Sequence, residues 1–104
     1  MSEIVVTQSS SNQVLRCAVG DTVVVRLPEN PTTGYRWQFE VPTGLELAGD
    51  DFNTSASNPG AGGERVMRFC VRAGASIRLH AALRRSWETG VAPQAEFAVV
   101  LEVH

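Results

Sequence analysis

The chain has 104 residues, enough for one domain with a single hydrophobic core and too few for two. Apolar residues make up 43% and the formal charge is -2, with basic residues scattered rather than grouped, so no basic stripe suits nucleic acid and no polybasic run suits a membrane surface. No apolar run approaches the roughly 20 residues of a transmembrane helix.

In chain order, short apolar segments at Ile4 to Thr7 and Val14 to Ala18 come first, and Gly20-Asp21 marks a turn. Val23, Val25 and Leu27 then alternate with Thr22, Val24 and Arg26, and Tyr35, Trp37, Phe39 and Val41 alternate with Arg36, Gln38 and Glu40. A shorter candidate strand lies at Leu45 to Gly49, and Asp51 to Gly63, rich in Ser, Asn, Pro and Gly, reads as a mobile loop between strands. Alternation resumes with Met67, Phe69 and Val71, breaks at Gly74-Ala75, and returns with Ile77, Leu79, Ala81 and Leu83. The last run sets Phe97, Val99, Leu101 and Val103 against Glu96, Ala98, Val100 and Glu102. Period-two patterning puts each apolar set on one core, and no segment carries a sustained helical stripe. The expectation is an all-β, immunoglobulin-like β-sandwich of seven to eight antiparallel strands, a single domain over residues 1–104.

The N-terminus lacks a charged region followed by an apolar stretch, so the chain as written reads as cytoplasmic, or as periplasmic or secreted if a signal peptide was removed; both readings stay open. Cys17 and Cys70 could form one bridge, but they match no zinc or redox spacing and read as ordinary strand cysteines. His80 and His104 lie near no ligand cluster, and no nucleophile is paired with a base and an orienting acid. The expectation is no enzyme activity, no cofactor and no metal.

Three loops carry unusual chemistry. In Asn30-Pro31-Thr32-Thr33-Gly34, Pro31 fixes its own φ and restricts Asn30, Gly34 is free to take a positive φ, and two threonine hydroxyls between them can bond outward or back to the loop. Its plain reading is a well-made turn, which would not need paired threonines. In Pro59-Gly60-Ala61-Gly62-Gly63 the glycines permit close backbone approach, as suits a segment lying extended in a partner's cleft; a flexible connection is the plain alternative. No Lys-Ser/Thr follows, so it is no phosphate loop. In Arg84 to Gly90, Trp87 sits among charged residues, either exposed as a binding anchor or folded back as a lid on the sandwich. Strands two apart send their connections to the same end, so all three loops are expected on one rim.

Asn30-Pro31-Thr32-Thr33-Gly34-Tyr35 followed by Trp37 resembles the signature of the chagasin family of cysteine peptidase inhibitors. Gly60-Ala61-Gly62-Gly63 and Arg85-Ser86-Trp87-Glu88 resemble that family's second and third binding loops in the same order, and the likeness covers about Ile4 to Val103. It implies a reversible, tight-binding inhibitor, expected as a monomer, whose partner is a papain-like cysteine peptidase. Asn30, Pro31, Thr32, Thr33 and Gly34 would cover the catalytic Cys–His pair, Gly60, Ala61, Gly62 and Gly63 would run along the cleft, and Arg85 and Trp87 would grip the opposite side, burying roughly 800 Å² on this partner. The third loop departs from the family's usual Arg-Pro-Trp: Ser86 stands in place of the proline, and the lost stiffness raises the cost of docking Trp87 by roughly 0.4–1 kcal/mol. The rival is an immunoglobulin-like adhesion or carbohydrate-binding module, which accounts for the fold and an exposed tryptophan but not for the first loop.

Overall fold

Eight strands form two four-stranded sheets packed face to face in a computed structural model that describes residues 2–30, 33–54, 62–85, 87 and 90–104. The strands are β1 (Glu3–Thr7), β2 (Val14–Cys17), β3 (Thr22–Glu29), β4 (Tyr35–Glu40), β5 (Leu45–Thr54), β6 (Gly63–Val71), β7 (Ser76–Arg85) and β8 (Ala95–Val103). One sheet has the order β1-β3-β6-β5, the other β2-β8-β7-β4.

The alternation seen in the sequence is the packing pattern. Val23, Val25 and Leu27 of β3 and Met67, Phe69 and Val71 of β6 face Trp37 of β4, Ile77, Leu79 and Ala81 of β7, and Phe97, Val99 and Leu101 of β8. Phe69 is fully buried, and its ring meets that of Phe39 across the sandwich at 5.8 Å between centres, tilted by 48°. Losing a buried ring of this size costs about 3–5 kcal/mol, so Phe69 is one of the side chains that hold the two sheets together.

Three features differ from the sequence expectation. Each sheet carries one parallel edge pairing beside its antiparallel ones, β1 with β3 and β2 with β8. The short 3-10 turn Gln8–Ser10 carries the chain from one sheet to the other, so two consecutive strands end on different partners. β5 continues past Gly49 to Thr54, leaving only 55–62 between β5 and β6 rather than a loop from Asp51. A bulge between Leu47 and Gly49 shifts the β5 register there, and Gly63, paired with Thr54, lies so close to the Asn53 carbonyl that a Cβ would collide with it. Pro28, in contrast, sits in β3 beyond Arg26, the last β3 residue paired with β1, so no neighbour on that side asks for its missing N–H.

Connections alternate between two ends. β3–β4, β5–β6 and β7–β8 turn at one end; β2–β3, β4–β5 and β6–β7 turn at the other, where Thr22 N bonds Ser2 O and His104 N bonds Cys17 O, so the first and last described residues lie there too. Cys17 is a buried free thiol on β2 and Cys70 a half-buried one on β6, in opposite sheets. Burial, and behind it the Asp21 carboxylate, pushes the Cys17 thiol up, so it behaves as a protonated core group. Among the described residues no helix is long and apolar enough to cross a membrane.

Asp21 holds the far end together. Its two carboxylate oxygens accept from Ser2 N and Ala18 N, both at 2.9 Å. Those two backbone donors, Ser2 first, keep its pKa below the usual carboxylate range. A depressed pKa contributes stability above the unfolded value, about 4, and loses it as pH falls through the folded value. Asp21→Asn is therefore expected to lower the thermal midpoint at pH 7, with the gap to the parent closing below about pH 4; a gap constant across that range in melts followed by circular dichroism would contradict the assignment.

Candidate functional site

The end bearing the β3–β4, β5–β6 and β7–β8 loops is organised around Glu29. Continuing the inward phase of Val23, Val25 and Leu27 by two residues puts Glu29 on the core face, and its side chain is fully shielded from solvent. One oxygen accepts from Trp37 N at 2.8 Å, the other from Arg65 Nε at 3.1 Å and Nη2 at 2.6 Å. Arg65 also holds Asp50 at 2.9 Å and lies 5.5 Å from the Phe52 ring centre. Burial opposes the Arg65 charge, but its bonds to Glu29 and Asp50 outweigh that, and its pKa lies above the ordinary arginine value. Trp37, buried, donates its indole N–H to Pro28 O at 2.8 Å. These groups pin the start of the first loop to β4 in the other sheet and to β6, the strand into which the glycine loop feeds.

The first loop is folded on itself. Thr33 N and Thr33 Oγ1 both donate to Asn30 O, at 3.2 and 2.8 Å, and Thr33 Oγ1 accepts from Tyr35 N at 3.4 Å. The Thr33 hydroxyl is thus turned back into the backbone rather than outward, an ST-type turn. Gly34 has φ +81° and supports the Trp87 ring: a Cβ there would collide with the ring, so both conformation and space require glycine.

The third loop leaves β7 at Arg85 and returns at Ala95. Its base is tied by Gln94 N to Leu83 O at 2.9 Å and by Arg84 Nη1 to Val91 O at 2.9 Å. Arg85 Nε donates to Thr33 O at 3.0 Å and its guanidinium lies over Tyr35, 4.4 Å from the ring centre. Trp87 is 68% exposed while its six-membered ring rests on Gly34, so of the two readings open for it the outward one describes the structure. Tyr35, expected as a core anchor beside Trp37, is only half-buried and serves the loop end instead.

Of the residues the sequence singled out, Asn30, Thr33, Gly34, Gly62, Gly63, Arg85 and Trp87 lie together at this end; Gly62 packs against Asn30, where a Cβ would come within 3.1 Å of the Asn30 Cβ. Pro31, Thr32, Gly60, Ala61 and Ser86 lie outside the described residues. The pair missed by sequence reasoning is Glu29 and Arg65. Both continue an apolar phase, Glu29 after Leu27 and Arg65 before Met67, and a charge in an inward position was the available signal. Among the described residues no group of three or more His, Cys, Asp or Glu side chains could hold a metal ion.

The family model described as chagasin family peptidase inhibitor I42 matches residues 16–101. Chagasin of Trypanosoma cruzi is 31% identical over 107 residues, covering 95% of this chain and 96% of that protein. Among solved structures, the cysteine protease inhibitor EhICP2 of Entamoeba histolytica superposes with a TM-score of 0.90 at 21% identity, over 100% of this chain and 97% of that one. PbICP-C, solved in complex with falcipain-2, superposes with a TM-score of 0.61 at 10% identity over 100% of both chains. These two share the fold.

Removing one member of a buried ion pair leaves the other charge unmatched, at a cost of about 3–5 kcal/mol. Glu29→Ala is expected to lose that much in urea unfolding and to broaden the amide resonances of Asn30, Trp37 and Arg65. A loss below about 1 kcal/mol would mean that Glu29 does not brace this end.

Proposed function

The chain belongs to the chagasin family of peptidase inhibitors, and from that premise we propose that it inhibits papain-like cysteine peptidases reversibly by filling the active-site cleft with the three loops at one end of the sandwich. The observation that carries this reading is the packing of Trp87 on Gly34 with Arg85 bonded to Thr33 O: an exposed tryptophan is fixed beside a folded, hydroxyl-stitched turn on a rigid frame. Order present before binding lowers the entropy cost of association, and a tryptophan held outward supplies the kind of anchor that dominates interfaces.

In this reading Asn30, Pro31, Thr32, Thr33 and Gly34 form the central plug over the peptidase's catalytic residues. Gly60, Ala61, Gly62 and Gly63 form one flank, and Arg85 and Trp87 the other. The naming of EhICP2 as a cysteine protease inhibitor and the complex of PbICP-C with falcipain-2 support the choice of target class. A peptidase cleaves an extended segment. The first loop is instead closed across its two ends, where Thr33 N and Oγ1 both donate to Asn30 O and Thr33 Oγ1 accepts from Tyr35 N, and that closure supports inhibition without cleavage.

Titration against papain tests the reading. Trp87→Ala is expected to weaken inhibition by at least about 30-fold, the ~2 kcal/mol of a central anchor. Papain unaffected by the parent at micromolar concentration would reject it in favour of an adhesion or carbohydrate-binding role. Thr33→Val removes the hydroxyl stitch and should weaken inhibition about 5-fold, one net hydrogen bond of ~1 kcal/mol, while Thr33→Ser stays near the parent. Mass spectrometry of an aged papain complex is expected to find no clip between Asn30 and Tyr35; a clipped chain would identify a slow substrate instead.

A further inference from the structure

Arg85 is held by more than its own loop. It stands opposite Tyr35 in the last rung of the β4–β7 ladder, where cross-strand neighbours on one face touch. Its Nε donates to Thr33 O at 3.0 Å, its guanidinium carbon lies 4.4 Å from the Tyr35 ring centre and 5.9 Å from that of Trp87, and the Trp87 ring covers Gly34. A planar guanidinium can donate along its edge while offering its faces to aromatic rings, which a lysine ammonium cannot do. The connection it begins is nine residues long, 86–94, and the ties at its base involve Leu83, Arg84, Val91 and Gln94. Those ties fix the foot of the loop, and among the described residues Trp87 meets Arg85 and Gly34.

Resting on the inhibitory reading above, we propose that Arg85 is a positioning residue: it locks the first and third loops into one preassembled unit and holds Trp87 over Gly34 before a peptidase arrives. Its contribution to inhibition passes through Trp87 and the Thr33–Gly34 turn rather than through its charge. Three geometric facts converge on this. Arg85 is half-buried, its Nε is spent on the first loop, and its guanidinium lies against both Tyr35, at the start of β4, and Trp87, in the third loop. Gly34 completes the unit, because any side chain there would expel the ring that Arg85 helps to place.

The test begins with the free protein. The α-protons of Gly34 lie under the Trp87 ring and should carry an upfield ring-current shift in the proton NMR spectrum, abolished in Trp87→Ala. Arg85→Ala and Arg85→Lys are both expected to reduce that shift by more than half, with the thermal midpoint and the core methyl resonances near the parent. A shift unchanged in Arg85→Lys would overturn the proposal, since charge alone would then suffice, and so would a shift unchanged in Arg85→Ala. If papain is inhibited, a double-mutant cycle gives the second readout. The combined Arg85→Ala, Trp87→Ala loss should be at least about 5-fold smaller than the product of the single losses, whereas independent residues multiply. Multiplying losses would likewise overturn it. Failure of the parent to inhibit papain would reject the inhibitory reading while the Gly34 shift still decides the role of Arg85.

Discussion

The Glu29 carboxylate is sealed from solvent, and each of its contacts reaches a different part of the sandwich. Trp37 N belongs to the opposite sheet, and Arg65 to the neighbouring strand and, through Asp50, to the sheet edge beyond it. A carboxylate taken out of water is tolerated only where donors meet it in good geometry, so few relative placements of β3, β4 and β6 satisfy the group. It sits one residue before the first loop and directly across the ladder from Gly63. The same requirement that makes the pair costly to disturb therefore sets where the first loop begins and where the glycine loop ends. What lies above it, the Thr33 turn, Gly34 and Trp87, inherits that placement.

Stiffness at this end is built from tertiary contacts more than from local chain chemistry. The first loop has Pro31 and Gly34, yet its fold is closed by the Thr33 hydroxyl. The third loop has no proline next to Trp87, where Ser86 stands, and the link from Arg85 to Thr33 O joins it to its neighbour. A loop that borrows rigidity in this way couples its position to the adjacent loop, whereas a proline would stiffen it alone.

The sandwich was legible in the sequence wherever a strand has one face in the core. Val23, Val25 and Leu27, Met67, Phe69 and Val71, and Phe97, Val99 and Leu101 alternate because one sheet covers the other. β5 was under-read because it lies at a sheet edge: Leu47 is exposed, the bulge breaks the alternation, and Gly49-Asp50-Asp51 has the composition of a turn while its backbone pairs with β6. The parallel pairings of β1 and β2 were not legible, since alternation says which face is buried and nothing about which neighbour is chosen. At the loop end, Asn30, Thr33, Gly34, Arg85 and Trp87 stood out by residue type. Glu29 and Arg65 did not, because a charged side chain next to a turn looks solvated until the strand phase is carried to its last residue.

Both described chain ends lie at the Asp21 end, across the length of the strands from Trp87. Nine residues of β8 at about 3.4 Å each separate the two ends of the sandwich by roughly 30 Å. Polypeptide attached at Ser2 or His104 would start on the side facing away from the loops. The domain is therefore suited to being tethered, to a bead, a surface or a carrier chain, with its three loops still pointing outward. Orientation on an immobilising support comes from the topology itself, without a linker chosen to provide it.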